Sequence, residues 1–241
     1  MDWLFLVIAF FAEIVGTVAG FGSSTIAMPV ASFLFPFQTA LVLVAFLHIF
    51  GNMGRIGFFR HGIDWRLIVR FGVPSVALTL LGAFLVQGAS QELLKMILGV
   101  FLIGYVFWSW TGRFSITPSL RTSVVGGGVS GFLAGLIGTG GALRAAFLTA
   151  FNLPKEKYIA TAAAIALAVD IARLPVYLYS GFLPESLYGT VPVLLGIAIV
   201  GTFIGKRIVW MLPQVIFRRM VLLAIGVIGI TFVAHGIVVY W

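Results

Sequence analysis

Gly20-Phe21-Gly22-Ser23-Ser24 and Gly138-Thr139-Gly140-Gly141 interrupt two otherwise apolar regions, residues 3–35 and 123–151. A helix needs about 20 residues to cross a hydrocarbon core of ~30 Å. The pieces 123–137 and 141–151 would rise only about 16–22 Å as helix, so neither is expected to span alone. Each region therefore reads as a broken-helix, re-entrant hairpin with its Gly-rich tip buried. The piece 3–19 is long enough that a full crossing stays open. Either way the hairpin makes an even number of passes. Around the hairpins lie six apolar runs: 38–59, 66–86 and 93–110, then 158–179, 188–209 and 220–240.

Composition supplies the solvent. Only 9% of the residues are charged and 61% are hydrophobic, with mean hydropathy +1.15. A soluble domain needs roughly 25% charged residues to stay dispersed. A soluble enzyme, a nucleic-acid reader and a disordered chain are excluded, and an all-α polytopic membrane protein remains. The net charge of +8 comes from short basic clusters between apolar runs, not from one patch. With no cysteine there is no disulfide, thiolate metal site or sulfur redox chemistry. Met1-Asp2-Trp3 has no basic flank and Glu13 interrupts the apolar run, so the N-terminus does not read as a cleaved signal peptide.

The two breaks also match each other. At one offset of 118, Gly20 aligns with Gly138, Gly22 with Gly140, Pro36 with Pro154, Asn52 with Asp170, Arg55 with Arg173, and Pro74 with Pro192. This predicts a duplication, residues 1–115 and 116–241, each a hairpin followed by three transmembrane helices. The clusters Arg60-His61-Asp64-Arg66, Arg113/Arg121, Lys155-Glu156-Lys157 and Lys206-Arg207/Arg218-Arg219 are assigned to the cytoplasm by the positive-inside rule. Loops 87–92 and 180–189 hold one acidic residue each and no basic one, and go outside. A hairpin plus three crossings per half satisfies all of these placements. It makes the halves inverted and both termini extracytoplasmic, in a cell membrane. Inverted repeats with broken helices mark secondary transporters.

Half-helices starting near Ser24 and Ala142 would present unpaired N–H groups and a positive dipole end. Gly20, Gly22, Gly138, Gly140 and Gly141 would let an anion approach the backbone, and Ser23, Ser24 and Thr139 add hydroxyl donors. Close helix packing is the competing use of such glycines. Inside the apolar runs, His48, Asn52 and Arg55 share one helix face, and Asp170 and Arg173 repeat the pattern. A charge at the bilayer centre costs at least ~2.5–3.5 kcal/mol, so such residues face partners or a cavity. Arg55, Arg173 and Arg144 against Glu13 and Asp170 leave one positive charge, which a bound monoanion would balance. Arg55, near Arg60, is as well placed to snorkel; Arg173 is not. His48 has no counterpart and is assigned a packing or hydrogen-bonding role.

No zinc spacing, nucleotide loop or nucleophile elbow is present, so the chain is not read as an enzyme and no cofactor is expected. A Ser23/His48 hydrolase has no spacing argument behind it.

The segments Gly16-Thr-Val-Ala-Gly20-Phe-Gly22-Ser-Ser-Thr-Ile-Ala-Met-Pro29, Gly131-Phe-Leu-Ala-Gly-Leu-Ile-Gly138-Thr-Gly-Gly141 and Gly62-Ile63-Asp64-Trp65-Arg66 resemble the TauE/SafE sulfite-exporter family of small prokaryotic membrane proteins. The resemblance covers essentially the full chain and implies transport of small sulfur oxyanions or organosulfonates. This sequence departs from the family pattern with Gly-Ser-Ser at the first tip, and with Phe147 opposite Pro29 and Arg144 in the second half-helix. The expectation is a secondary transporter of sulfite or an organosulfonate by alternating access at the repeat interface. Gly20, Gly22, Ser23, Ser24, Asn52, Arg55, Gly138, Thr139, Gly140, Gly141, Asp170 and Arg173 are the expected substrate site. An anion channel and a non-transporting membrane sensor or structural subunit are the alternatives. Partners are the small anion and the lipid bilayer, without nucleic acid; a coupling proton or sodium ion and a homo-oligomer are left open.

Overall fold

The computed structural model describes residues 3–59, 62–111, 116–209, 226–227 and 229–238, 85% helical with no strand among the described residues. The first half holds α1 (Trp3–Ala19), α2 (Ser24–Leu34), α3 (Phe37–Phe58), α4 (Trp65–Gly88) and α5 (Gln91–Thr111). The second holds α6 (Leu120–Ile137), α7 (Gly141–Thr149), α8 (Lys155–Tyr179), α9 (Thr190–Val209) and α10 (Gly229–Val238). Six helices are long and apolar enough to cross a membrane: α3, α4, α5, α6, α8 and the segment Glu185–Ile208 that contains most of α9. The basic residues Arg60, His61, Arg113, Arg218 and Arg219, and residues 220–225 of the last expected helix, lie outside the described residues.

Both breaks fall where the glycines predict. Gly20 and Gly138 each have φ +76°, and each N–H reaches a carbonyl four residues back, Gly16 or Ala134, at 3.1 Å. This left-handed cap ends a helix and suits glycine, which has no Cβ to clash. Pro36 and Pro154 then precede α3 and α8 with nearly the same backbone, φ −50° and ψ 142° against φ −51° and ψ 143°. One expectation needs correcting. α6 begins at Leu120, not at 123, because the Ser119 hydroxyl accepts the Thr122 N–H at 3.1 Å and caps it. Its 18 residues meet the length for a crossing, so this arm is not too short to span.

Packing crosses between the halves in matched pairs. α1 lies along α9 while α6 lies along α4; α3 meets α8; α9 also packs on α3, and α4 on α8. Small residues let these backbones approach. Gly127, Gly131 and Gly135 of α6 sit on the carbonyl oxygens of Phe71, Ser75 and Thr79 of α4, where a Cβ would collide. Gly201 and Gly205 of α9 take α1 in the same way at Phe10 to Thr17. α4 contains a π-helical turn, Ile68–Gly72, just before Pro74, which has no N–H for the regular ladder.

The polarity is inside out. Glu13, Asn52, Arg55, Asp170 and Arg173 are buried, whereas Trp3, Phe11, Val73, Phe107 and Val238 face outward. That is the distribution lipid imposes, since unpaired polar groups are expensive there. The two ends differ in charge. At one end, Lys206 Nζ donates to the Phe58 carbonyl at 3.0 Å, Lys157 Nζ lies 3.5 Å from Asp64 Oδ2, and the Asp64 N–H donates to Thr161 Oγ1 at 3.0 Å. Asp64 also caps α4 by accepting the Leu67 N–H at 2.9 Å, which, with Lys157 adding to it, holds its carboxyl below the usual value. At the other end the ties are uncharged: Phe37 N–H to Gln91 Oε1 at 3.1 Å and Gln87 Nε2 to Ser180 Oγ at 2.9 Å.

Candidate functional site

The breaks bring both Gly-rich tips together beside the middle of α3 and α8. His48 lies near the centre of α3, between Phe37 and Phe58, about 15 Å from either end at the helical rise. The tips touch directly. Thr25 Oγ1 and Thr139 Oγ1 are 3.1 Å apart, Gly141 abuts the Phe21 carbonyl, and Gly138 abuts Met28 and Leu41.

Around them runs one buried polar network. Arg55 Nη2 donates to Glu13 Oε2 at 2.7 Å and Oε1 at 3.0 Å, its Nε to Thr17 Oγ1 at 3.1 Å, and its Nη1 to Asn52 Oδ1 at 2.8 Å. Ser23 Oγ donates to Glu13 Oε1 at 2.9 Å, which sets the carboxylate against the start of α2. A helix N-terminus favours negative charge, so Glu13 supplies an internal anion there. In the second half, Arg173 Nε donates to Asp170 Oδ1 at 3.0 Å, and its Nη2 lies 2.8 Å from the same oxygen in an ion pair. Arg173 Nη1 donates to the Ala134 carbonyl, and Tyr177 Oη to the Gly135 carbonyl, the last turn of α6. Asp170 Oδ2 joins the clusters, lying 2.8 Å from His48 Nδ1 and 3.4 Å from Asn52 Nδ2.

The network leaves one cation over. Arg144 of α7 is buried, and among the described residues no carboxylate lies within ion-pair distance of its guanidinium. It lines a pocket with Asn52, Arg55 and the Gly20–Gly22 tip, closed by Phe21, Ile159, Ala162 and Ala163. The free volume is about 10 Å³, space for roughly one water. A cation inside an apolar protein, without a carboxylate partner, can neutralise an anion once the walls part.

A family model described as "Sulfite exporter TauE/SafE" matches residues 5–232. The chain belongs to the TauE/SafE sulfite exporter family. It is similar to a protein of Methanocaldococcus jannaschii called a probable membrane transporter protein, 24% identical over 215 residues, which are 81% of this chain and 80% of that one. No solved structure matches. A TauE/SafE member with six spanning-length helices is a multi-pass membrane transporter.

In this TauE/SafE chain the expected site residues divide. Gly20, Gly22, Asn52 and Arg55 line the pocket, and Ser23 reaches it through Glu13. Ser24 is the buried first residue of α2. Thr139, Gly138 and Gly141 form the contact between tips, and Gly140 is pressed on the Ser130 carbonyl. Asp170 and Arg173 sit behind, linked to the pocket through Asn52. Arg55 does not snorkel, being 3% exposed and paired with Glu13. Glu13, Arg144 and the apolar wall were outside the expected site. The signal for both charged residues was present, as each is an ionisable side chain inside an apolar run.

Proposed function

We propose that this protein is a secondary transporter of a small sulfur oxyanion or organosulfonate, working by alternating access between residues 1–115 and 116–241. The observation that carries the reading is the unpaired Arg144 guanidinium in the pocket, facing Arg55, Asn52 and the Gly20–Gly22 tip. An incoming anion pairs with Arg144 and takes further donors from Asn52 and the tip backbone. Arg55 stays pinned by Glu13 and contributes positive potential more than a free fork. The apolar wall accepts a short organic tail. The small free volume fits a closed conformation.

Access changes by motion of one hairpin with the helix that grips it, α1–α2 with α9 against α6–α7 with α4. The exchanged pairings and matched proline entries support reading the halves as inverted repeats. The end bearing Lys157, Lys206 and Arg207 faces the cytoplasm of a cell membrane, and both termini lie outside.

The test is counterflow in liposomes. Protein loaded with sulfite or methanesulfonate should exchange labelled anion faster than it delivers net flux, and Arg144→Ala should abolish the exchange. Flux indifferent to the anion on the far side would make it a channel. Wild-type exchange in Arg144→Ala would remove the pocket from the transport path.

A further inference from the structure

His48 is buried at 3% exposure in the middle of α3, and half of its ring is accounted for. Nδ1 lies 2.8 Å from Asp170 Oδ2, while Asp170 Oδ1 already accepts from Arg173 Nε and is ion-paired with its Nη2. Asp170 in its charged form only accepts, so it fixes a proton on Nδ1. Nε2 of the neutral ring is then a bare lone pair. It is buried and has no partner. It points at Gly22, where an added Cβ would collide with it, and Gly22 lines the anion pocket at the start of α2. A buried ring nitrogen without a partner is an exception that asks for a ligand.

The charges facing His48 decide what that ligand is. Asp170 comes from α8, with Arg173 behind it; Arg144 comes from α7, and Arg55 lies two turns along α3. Counting Glu13 on α1, three positive groups stand against two negative ones. With neutral His48 the net charge is one positive, which one monoanion cancels. A doubly charged oxyanion overshoots by one, and the unpartnered Nε2 is where a compensating proton can bind.

Resting on the reading that this pocket holds the transported anion, we infer that His48 is its proton-accepting group. A dianion binds together with one proton taken onto Nε2, whereas a monoanion binds without one. The step is a simple protonation: H⁺ from the facing solvent forms the N–H bond with the Nε2 lone pair. The imidazolium then donates that N–H to the oxyanion, and the proton leaves on the far side when the anion does. Dianion transport is thereby proton symport through one side chain.

Sulfate and methanesulfonate provide the test, because they share a shape, differ by one charge, and neither titrates near neutral pH. Any proton taken up on binding must therefore land on the protein. The full chain in detergent is titrated with each anion in two buffers of different ionisation enthalpy, at about pH 6 and pH 8. Wild type should take up close to one proton per sulfate at pH 8, with affinity falling up to tenfold per pH unit, and none with methanesulfonate. His48→Gln, which keeps a hydrogen-bonding side chain but cannot carry the charge, should lose the proton uptake and most of the sulfate affinity. Its methanesulfonate affinity should fall only about two- to tenfold, as for one hydrogen bond. Sulfate binding without proton uptake, no sulfate binding at pH 6, or uptake that persists in His48→Gln each overturns the inference. Loss of both anions in His48→Gln makes the ring a packing element and overturns it too. If wild type binds neither anion, the transported-anion reading falls first; if it binds methanesulfonate normally, only the role of His48 is at stake.

Discussion

Arg55 and Arg173 stand 118 residues apart, on α3 and α8, and each ties its helix to the first arm of its own hairpin. The neighbours differ. Arg55 reaches a carboxylate on α1, that of Glu13, and a face of its guanidinium lines the pocket. Arg173 finds its carboxylate one turn away on its own helix and donates from Nη1 to the Ala134 carbonyl, with Tyr177 beside it. The position matching Glu13 is Gly131, which α6 uses to rest on α4. The first half has thus put charge where the second has put close packing. On the proposed reading of the halves as repeats, the lesson is that a shared frame is kept for geometry while one half serves as the proposed binding face and the other as the brace.

Four outcomes test that division. The largest concerns the brace: Arg173→Ala leaves Asp170 buried without its guanidinium and should lower stability by about 3–5 kcal/mol in a detergent melt. If that variant melts like wild type but fails to bind anion, the two arginines have the same job and the contrast is broken. Next is Arg144→Ala, which removes an unpaired charge. Anion affinity should drop roughly 10- to 100-fold, as for a charged hydrogen bond worth about 1.5–3 kcal/mol, with the melting temperature unchanged or raised. The tips give the third pair. In Gly140→Ala the new Cβ meets the Ser130 carbonyl and should cost about 1–3 kcal/mol of stability, leaving affinity in the folded fraction intact. Gly22→Ala meets only the His48 ring, at φ +87°, and should show its main loss in anion binding. Equal losses of affinity at both glycines would assign the second tip to the site.

The smallest effect lies at the charged end. Asp64→Ala removes the α4 cap and should cost about 0.5–1 kcal/mol at neutral pH. Because the folded-state value of Asp64 is depressed, its contribution is complete above its ordinary 3.8 and disappears as pH falls through the lower folded value. Wild type and variant should therefore converge in melts at strongly acidic pH. A difference that persists there would give Asp64 a role beyond its charge.

Much of the frame was legible in the sequence, and the reasons are local. Gly20 and Gly138 announce helix ends because the left-handed cap needs glycine, and the long apolar runs announce helices because lipid allows little else. The start of α6 was misplaced by three residues, since the Ser119 cap sits in a polar stretch that hydropathy alone assigns to the loop. The site was only half legible. Rare charges inside apolar runs named Glu13, Arg55, Arg144, Asp170 and Arg173, but not who pairs with whom. That pairing depends on how α7 and α8 pack, and it leaves Arg144, not Arg173, as the spare cation. The free Nε2 of His48 was illegible for the same reason: Asp170 arrives from 122 residues away.

The pairing of α1 with α9 has a consequence for how the chain is made. Ribosomes deliver roughly 5–20 residues per second, so α1 waits about 10–40 s before Thr190 and the helix that follows it exist. During that interval Glu13 and Thr17 have Arg55 available but lack the surface of Gly201 and Gly205. The polar pair is thus the early latch and the glycine seam the late one. A nascent chain arrested before residue 190 would hold its first hairpin by that latch alone, with one flank still open to lipid or to an insertion factor.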